Sequence, residues 1–147
     1  MTLTIRDIMT TDVARVDCDT TVKEAAELLR SKDIGSLPVC EGKKVIGMIT
    51  DRDIALRVVA DDRDPGSTTV SEIMTKDVVG VREDSELQEA ERLMKEHQLR
   101  RLPVLNGQGE LVGYLSLARV ARSGSAESSG KVLKGVSEPS KKRPKTG

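Results

Sequence analysis

Two stretches of this sequence carry side chains placed for binding chemistry, and they occupy equivalent positions. Gly47-Met48-Ile49-Thr50-Asp51-Arg52-Asp53 sets a hydroxyl three residues ahead of a carboxylate, where an apolar run gives way to a helical one. A threonine there is a natural N-cap, and a carboxylate on the first helical turn accepts hydrogen bonds without donating any. The plain reading of the pair is a capped helix with a first-turn acid. The functional reading is an acceptor for paired hydroxyls beside a helix N-terminus that favours an anion. The equivalent stretch, Gly113-Tyr114-Leu115-Ser116-Leu117-Ala118-Arg119, ends in a guanidinium. That group has donors only, so it suits a phosphate and cannot accept from hydroxyls. The basic residues differ in the complementary sense: Arg100-Arg101 precede Leu102-Pro103-Val104, whereas Gly35-Ser36 precede Leu37-Pro38-Val39. A solvated strand start is the plain reading of that arginine pair.

Other chemistries find little footing. The single histidine, His97 in Lys95-Glu96-His97-Gln98, falls at a helix C-terminus, where a partly cationic ring suits the dipole. There is no His/Cys metal spacing, nucleophile elbow or phosphate loop with its lysine, so the chain is expected not to be an enzyme, with no catalytic or metal-binding residue. Cys18 and Cys40 read as ordinary small side chains of a reducing cytosol, with a redox-sensitive pair as the alternative. No run of eighteen apolar residues and no basic-then-apolar leader occurs, which predicts a cytoplasmic protein with no membrane contact. The formal charge is zero. From Ser123 onward, however, six basic residues stand against two acidic ones, leaving the body net negative. This argues against a nucleic-acid-binding body and leaves only weak, salt-sensitive attraction through Lys141-Lys142-Arg143-Pro144-Lys145.

The elements that must position these residues come in two copies. Ile8-Met9-Thr10-x-Asp12-Val13 returns as Ile73-Met74-Thr75-x-Asp77-Val78, and Leu37-Pro38-Val39 as Leu102-Pro103-Val104, both displaced by 65 positions. A residue inserted after Gly107 carries Val45-Ile46-Gly47 onto Leu111-Val112-Gly113. Agreement of that length is an internal repeat. Each copy reads as a short helical turn, a strand bracketed in the first copy by Val13 and Val16, a helix, a hairpin and a second helix. Thr21-x-x-Glu24 and Ser85-x-x-Gln88 are expected to be capping boxes. Val22, Ala25, Ala26 and Leu29 form one apolar stripe, and Leu87, Ala90 and Met94 the other. Hairpins are expected over 37–50 and 102–115, around Glu41-Gly42-Lys43 and Asn106-Gly107. Pro38 and Pro103, lacking a backbone donor, are expected at sheet edges and not in mid-sheet. The boundaries follow: repeats at 3–60 and 69–122, a polar linker at 61–68, and a flexible basic tail at 123–147. With one Tyr and no Phe or Trp, the core must be aliphatic.

A tandem repeat headed by Ile-Met-Thr, with Leu-Pro-Val before the hairpin and Gly-Met-Ile-Thr-Asp-Arg-Asp after it, resembles the CBS-domain pair, or Bateman module, over roughly residues 3 to 122. The resemblance implies an α/β (α+β) fold of two β-α-β-β-α repeats with pseudo-twofold symmetry and packed sheets, which often associates as a dimer. It also implies clefts for adenosine-containing ligands. The family's ribose pattern, Gly-x-x-Thr/Ser-x-x-Asp, is complete only in the first copy. By this resemblance Thr50 and Asp53 would hold ribose, Met48 and Pro103 would contact base or sugar, and backbone groups of Val78 and Val79 would read the adenine edge. Arg100 and Arg101 would meet the phosphates, and Gly35 would leave room or supply a backbone donor. The expected ligand is AMP, ADP or ATP, with no required cofactor and S-adenosylmethionine disfavoured by its sulfonium charge beside two arginines. The expected role is a regulatory sensor acting through an effector protein. The competing readings are a ligand-free dimerisation adaptor and docking through the basic tail.

Overall fold

The computed structural model describes residues 3–123, so the basic tail expected beyond Ser123 lies outside the described residues. Each repeat opens with one helical turn, α1 (Ile5–Ile8) and α4 (Val70–Ile73). Next come a two-residue strand, β1 (Val16–Asp17) or β4 (Val81–Arg82), and an eleven-residue helix, α2 (Val22–Lys32) or α5 (Leu87–His97). A hairpin then follows, β2 (Ser36–Glu41) with β3 (Lys44–Thr50), or β5 (Arg101–Leu105) with β6 (Leu111–Ser116). The closing helices are α3 (Asp51–Ile54), which runs on as a π turn over Ala55–Val59, and α6 (Leu117–Ser123).

The strands form two three-stranded sheets, ordered β1-β2-β3 and β4-β5-β6, in which the first pair is parallel and the hairpin antiparallel. β1 is thus shorter than the Val13–Val16 bracket suggests. β2 and β5 are the central strands, which corrects the edge placement of the prolines. Pro38 and Pro103 lie inside these strands and are buried. They are tolerated because β1 and β4 pair only from Val39 and Val104 onward. On that flank the proline nitrogen faces no ladder partner.

The capping expectation holds at one helix and fails at the other. Thr21 accepts from the Glu24 N–H at 3.2 Å while Glu24 accepts from the Thr21 N–H at 3.3 Å, closing the box at α2. At α5 the N-cap is Glu86, without a side-chain cap bond, so Ser85 is not the cap. Under the 65-residue displacement Ser85 corresponds to Thr20, and Glu86 to Thr21. The stripes are as expected except at Ala26, which is only partly buried: Val22, Ala25 and Leu29 on α2, and Leu87, Ala90 and Met94 on α5, are buried.

The two compact units are not the two sequence repeats. Ala14–Val78 forms one; the described residues 3–13 and 79–123 form the other. Each opening helix therefore packs in the unit whose sheet belongs to the other copy. Val70 and Ile73 join Val22, Leu29, Leu37, Val39 and Ile49 in one core, and Ile5, fully buried, joins Met94, Leu102, Val104 and Leu115 in the other. The backbone bonds obey the same displacement. Val70 and Ser71 N–H donate to the Thr20 and Cys18 carbonyls, and Ile5 and Arg6 N–H to those of Ser85 and Glu83. These carbonyls satisfy first-turn donors that no helix can satisfy internally.

Both exchanged helices are closed by acids. The Thr4 N–H donates to Asp7 Oδ2 at 2.9 Å and the Thr69 N–H to Glu72 Oε2 at 2.7 Å. Hydrogen bonds from the Thr4 backbone and hydroxyl hold the Asp7 carboxyl below its ordinary value. Those of Thr69, aided by Arg63, do the same for Glu72. A carboxylate depressed on folding stabilises above its unfolded pKa and loses that contribution as pH falls through the folded value. The melting temperature is therefore expected to hold from neutrality to about pH 5 and to fall below about pH 4. In a melting series against pH, Asp7→Asn with Glu72→Gln should flatten that fall; an unchanged acid limb would reject these boxes as its source.

Candidate functional site

Thr50 ends β3 and caps α3: its hydroxyl accepts from the Asp53 N–H at 3.0 Å, and Asp53 Oδ2 accepts from the Thr50 N–H at 3.1 Å. Asp53 is only 7 % exposed. Its carboxylate also accepts from the Thr75 hydroxyl, at 3.2 Å to Oδ1 and 3.4 Å to Oδ2, and Arg57 Nη1 lies 3.9 Å from Oδ1. The Gly35 carbonyl accepts from the Asp51 N–H at 3.0 Å, which ties Gly35 to the start of α3.

The segment carrying Thr75 runs beside β3, with Met48 N–H donating to the Thr75 carbonyl at 2.8 Å and Thr75 N–H to that of Met48 at 2.9 Å. Gly47 permits this approach. A Cβ at Gly47 would fall 2.9 Å from the Thr75 carbonyl oxygen and 2.5 Å from the Met74 sulfur, and one at Gly113 would meet Thr10 and Met9 in the same way. The repeated Met-Thr and glycine are thus one device, a strap laid across a residue with no side chain. Gly47→Ala is expected to cost about 1–3 kcal/mol. Chemical denaturation should show it together with faster amide exchange at Thr75; a neutral substitution would contradict the close approach.

Met48, Thr50, Asp53 and Val78 belong to the Ala14–Val78 unit, while Val79, Arg100, Arg101 and Pro103 belong to the other. Val78 and Val79 are partly buried, Arg100 is exposed, and Arg101 opens β5 half-buried. The Arg100 carbonyl accepts from the Leu117 N–H at 2.7 Å, the counterpart of Gly35 at Asp51. Thr75 and Arg57 were not singled out from the sequence as site residues. The repeat of Met-Thr was the available signal for Thr75, but its hydroxyl reaches Asp53 across 22 positions.

The second copy builds the same turn with inverted polarity. Ser116 Oγ accepts from the Arg119 N–H at 3.2 Å, and Arg119 Nη1 donates to Thr10 Oγ1 at 2.8 Å. Thr10 accepts where its counterpart Thr75 donates, because a hydroxyl can do either. No paired-hydroxyl acceptor is present at that turn. Elsewhere, Cys18 and Cys40 are free thiols, and burial pushes the Cys40 thiol up, away from the reactive thiolate. Among the described residues no group of three or more His, Cys, Asp or Glu is arranged to hold a metal ion, and no helix is long and apolar enough to cross a membrane.

Two three-stranded units, one of them carrying a capped Thr-x-x-Asp turn, make a tandem module of known kind: the chain belongs to the CBS domain family, whose model matches residues 5–60 and 70–125. It is 43 % identical over 134 residues to the CBS domain-containing protein YhcV of Bacillus subtilis, covering 90 % of this chain and 94 % of that one. Among solved structures it is similar to Hypoxic Response Protein I with two coordinated zinc ions, at 37 % identity and TM-score 0.75, covering 84 % of this chain and all of that one. A relative of that name comes from Mycobacterium tuberculosis. CBSX2 in complex with AMP is 30 % identical with TM-score 0.69, covering 82 % of this chain and 94 % of its own; CBSX2 is from Arabidopsis thaliana. The CBS pair of MJ0100 with 5′-methylthioadenosine and S-adenosyl-L-methionine is 26 % identical with TM-score 0.69, covering 83 % and 95 %.

Proposed function

We propose that this chain is a regulatory receptor for an adenine nucleotide, AMP, ADP or ATP, with no catalysis of its own. It acts in the cytoplasm as a homodimer, through an effector protein that responds to the bound state. The observation that carries this reading is the Asp53 carboxylate, nearly buried yet not saturated. A carboxylate accepts at about four positions. Thr50 and Thr75 supply two donors, which leaves acceptor capacity for a ribose diol at the turn. AMP, 5′-methylthioadenosine and S-adenosylmethionine share that diol on adenosine, and relatives bind all three. Met48 and Pro103 are assigned to base or sugar, Val78 and Val79 to the adenine edge, and Arg100 and Arg101 to phosphate, all on the sequence pattern. The arginines favour phosphate over a sulfonium, since like charges repel.

The test is calorimetry of the full chain with AMP, ADP, ATP, S-adenosylmethionine and 2′-deoxy-AMP. Nucleotides should bind more tightly than S-adenosylmethionine, and the deoxy analogue should lose affinity. No heat with any of them would end the sensor reading. The ligand-free adaptor is the second reading, favoured by the fact that Asp53 already closes a capping box and so has a role in the fold alone. It is supported if Asp53→Ala lowers stability in a protein that binds none of the panel.

A further inference from the structure

Arg57 takes no part in the assignments above. It sits on the π turn that continues α3, with its side chain half exposed. Its Nη1 donates to the carbonyl of Ile73 at 2.8 Å and, more weakly, to that of Met74 at 3.3 Å. Ile73 is the last residue of α4 and Met74 its C-cap, so the guanidinium meets carbonyls that the end of that helix leaves unsatisfied. The same nitrogen is 3.9 Å from Asp53 Oδ1. One cation thus bridges the helix that presents the acid and the segment that supplies the Thr75 hydroxyl and leads to Val78.

The bridge matters because these two segments are otherwise joined by few bonds. Thr75 docks on Met48 through two backbone bonds and on Asp53 through its hydroxyl. Arg57 adds the tie at the root of the segment, at the two residues just before Thr75. One terminal guanidinium nitrogen makes all of these approaches: it donates to two carbonyls and sets its positive charge 3.9 Å from the carboxylate without a hydrogen bond to it. Removing it would leave Asp53 in place, capped by Thr50, but would free the Met74–Val78 approach to shift.

We propose that Arg57 is a positioning residue for the nucleoside, fixing the Met74–Val78 segment against Asp53 without touching the ligand. This rests on the reading of Asp53 as a ribose acceptor. A residue that acts by position should affect adenosine and AMP alike, whereas one that meets phosphate should affect AMP alone.

The experiment titrates adenosine and AMP into wild type, Arg57→Met and Arg57→Lys by calorimetry, with amide exchange at Met48 and Thr75 followed without ligand. Arg57→Met should weaken both ligands by the same factor, roughly tenfold, and speed exchange at Thr75. Arg57→Lys should recover part of both effects. Loss confined to AMP would overturn the proposal in favour of direct phosphate contact. Unchanged affinities with a lowered melting temperature would overturn it in favour of a merely structural tie. Silence of the wild type toward both ligands would fail the ribose reading and take this inference with it. Binding by wild type that neither variant alters would fail this inference alone.

Discussion

Deletion of residues 1–13 is expected to unfold the unit completed by residues 79–123 and not the Ala14–Val78 unit that follows it directly in sequence. The unit completed by residues 79–123 would lose Ile5, fully buried in its core, and the backbone bonds that Thr10 exchanges with Tyr114. It would also lose the Arg6–Glu83 ion pair and the Arg119–Thr10 bond. Truncating one buried isoleucine typically costs about 2–5 kcal/mol. Small domains have only about 5–15 kcal/mol in hand, so removing the whole segment should exhaust the unit's stability. Residue-resolved hydrogen exchange should show protection collapsing first over α5, β5 and β6, while α2, β2 and β3 retain theirs. Collapse beginning in Ala14–Val78 would refute the segment exchange.

The second large effect concerns Asp53. Asp53→Ala is expected to reduce AMP affinity by at least a hundredfold, because hydrogen bonds to a charged group contribute about 1.5–3 kcal/mol each. Its cost in stability should be near 1 kcal/mol, the usual worth of a capping interaction. Asp53→Asn separates the two roles. The amide oxygen can still accept from the Thr50 N–H and keep α3 closed, while the amide nitrogen then faces the ligand and cannot accept. The asparagine variant should therefore melt near wild type and yet bind as poorly as the alanine variant. Retained affinity in the asparagine variant would remove Asp53 from the ligand. Arg119→Asp extends the logic to the other turn, where Ser116 and Thr10 stand ready for a carboxylate. If the missing acid alone silences that turn, binding stoichiometry should rise.

Local features were legible in the sequence because they are written in local chemistry. The hairpins announced themselves through turn residues between apolar runs. The boxes at Thr21 and Thr50 follow from hydroxyl–acid spacing, and the repeat itself gave the family. The cap at α5 was misplaced because Ser85 and Gln88 imitate a box one residue early, and nothing in the spacing reveals that Glu86 starts the helix. Pro38 and Pro103 misled for a different reason. A proline announces a missing donor, but only the two-residue length of β1 and β4 shows how a central strand can accommodate it.

The exchange of opening segments was invisible in principle. Met-Thr recurs in the same register whether each copy folds back on its own sheet or crosses to the other. The neighbours of Asp53 were hidden likewise: Thr75 and Arg57 converge on it through tertiary approach, and neither has a spacing that marks it. The asymmetry of the two turns, Asp53 against Arg119, did show in the sequence, and the structure gives it an acceptor turn and a donor turn.

Chain separation differs sharply between the two units. In Ala14–Val78 the strap closes over short spans, as in the 22 positions between Asp53 and Thr75. In the other it must close over 109 positions, from Thr10 to Arg119. Long closures carry the larger entropic cost and form later. On a ribosome, the inner unit has every residue it needs once Val78 has emerged. Residues 3–13, Ile5 and Met9 among them, must wait uncovered until β6 is made. This segment, made before the rest of its unit, is thus the last to find its place, and until then its apolar side chains depend on whatever shields a nascent chain.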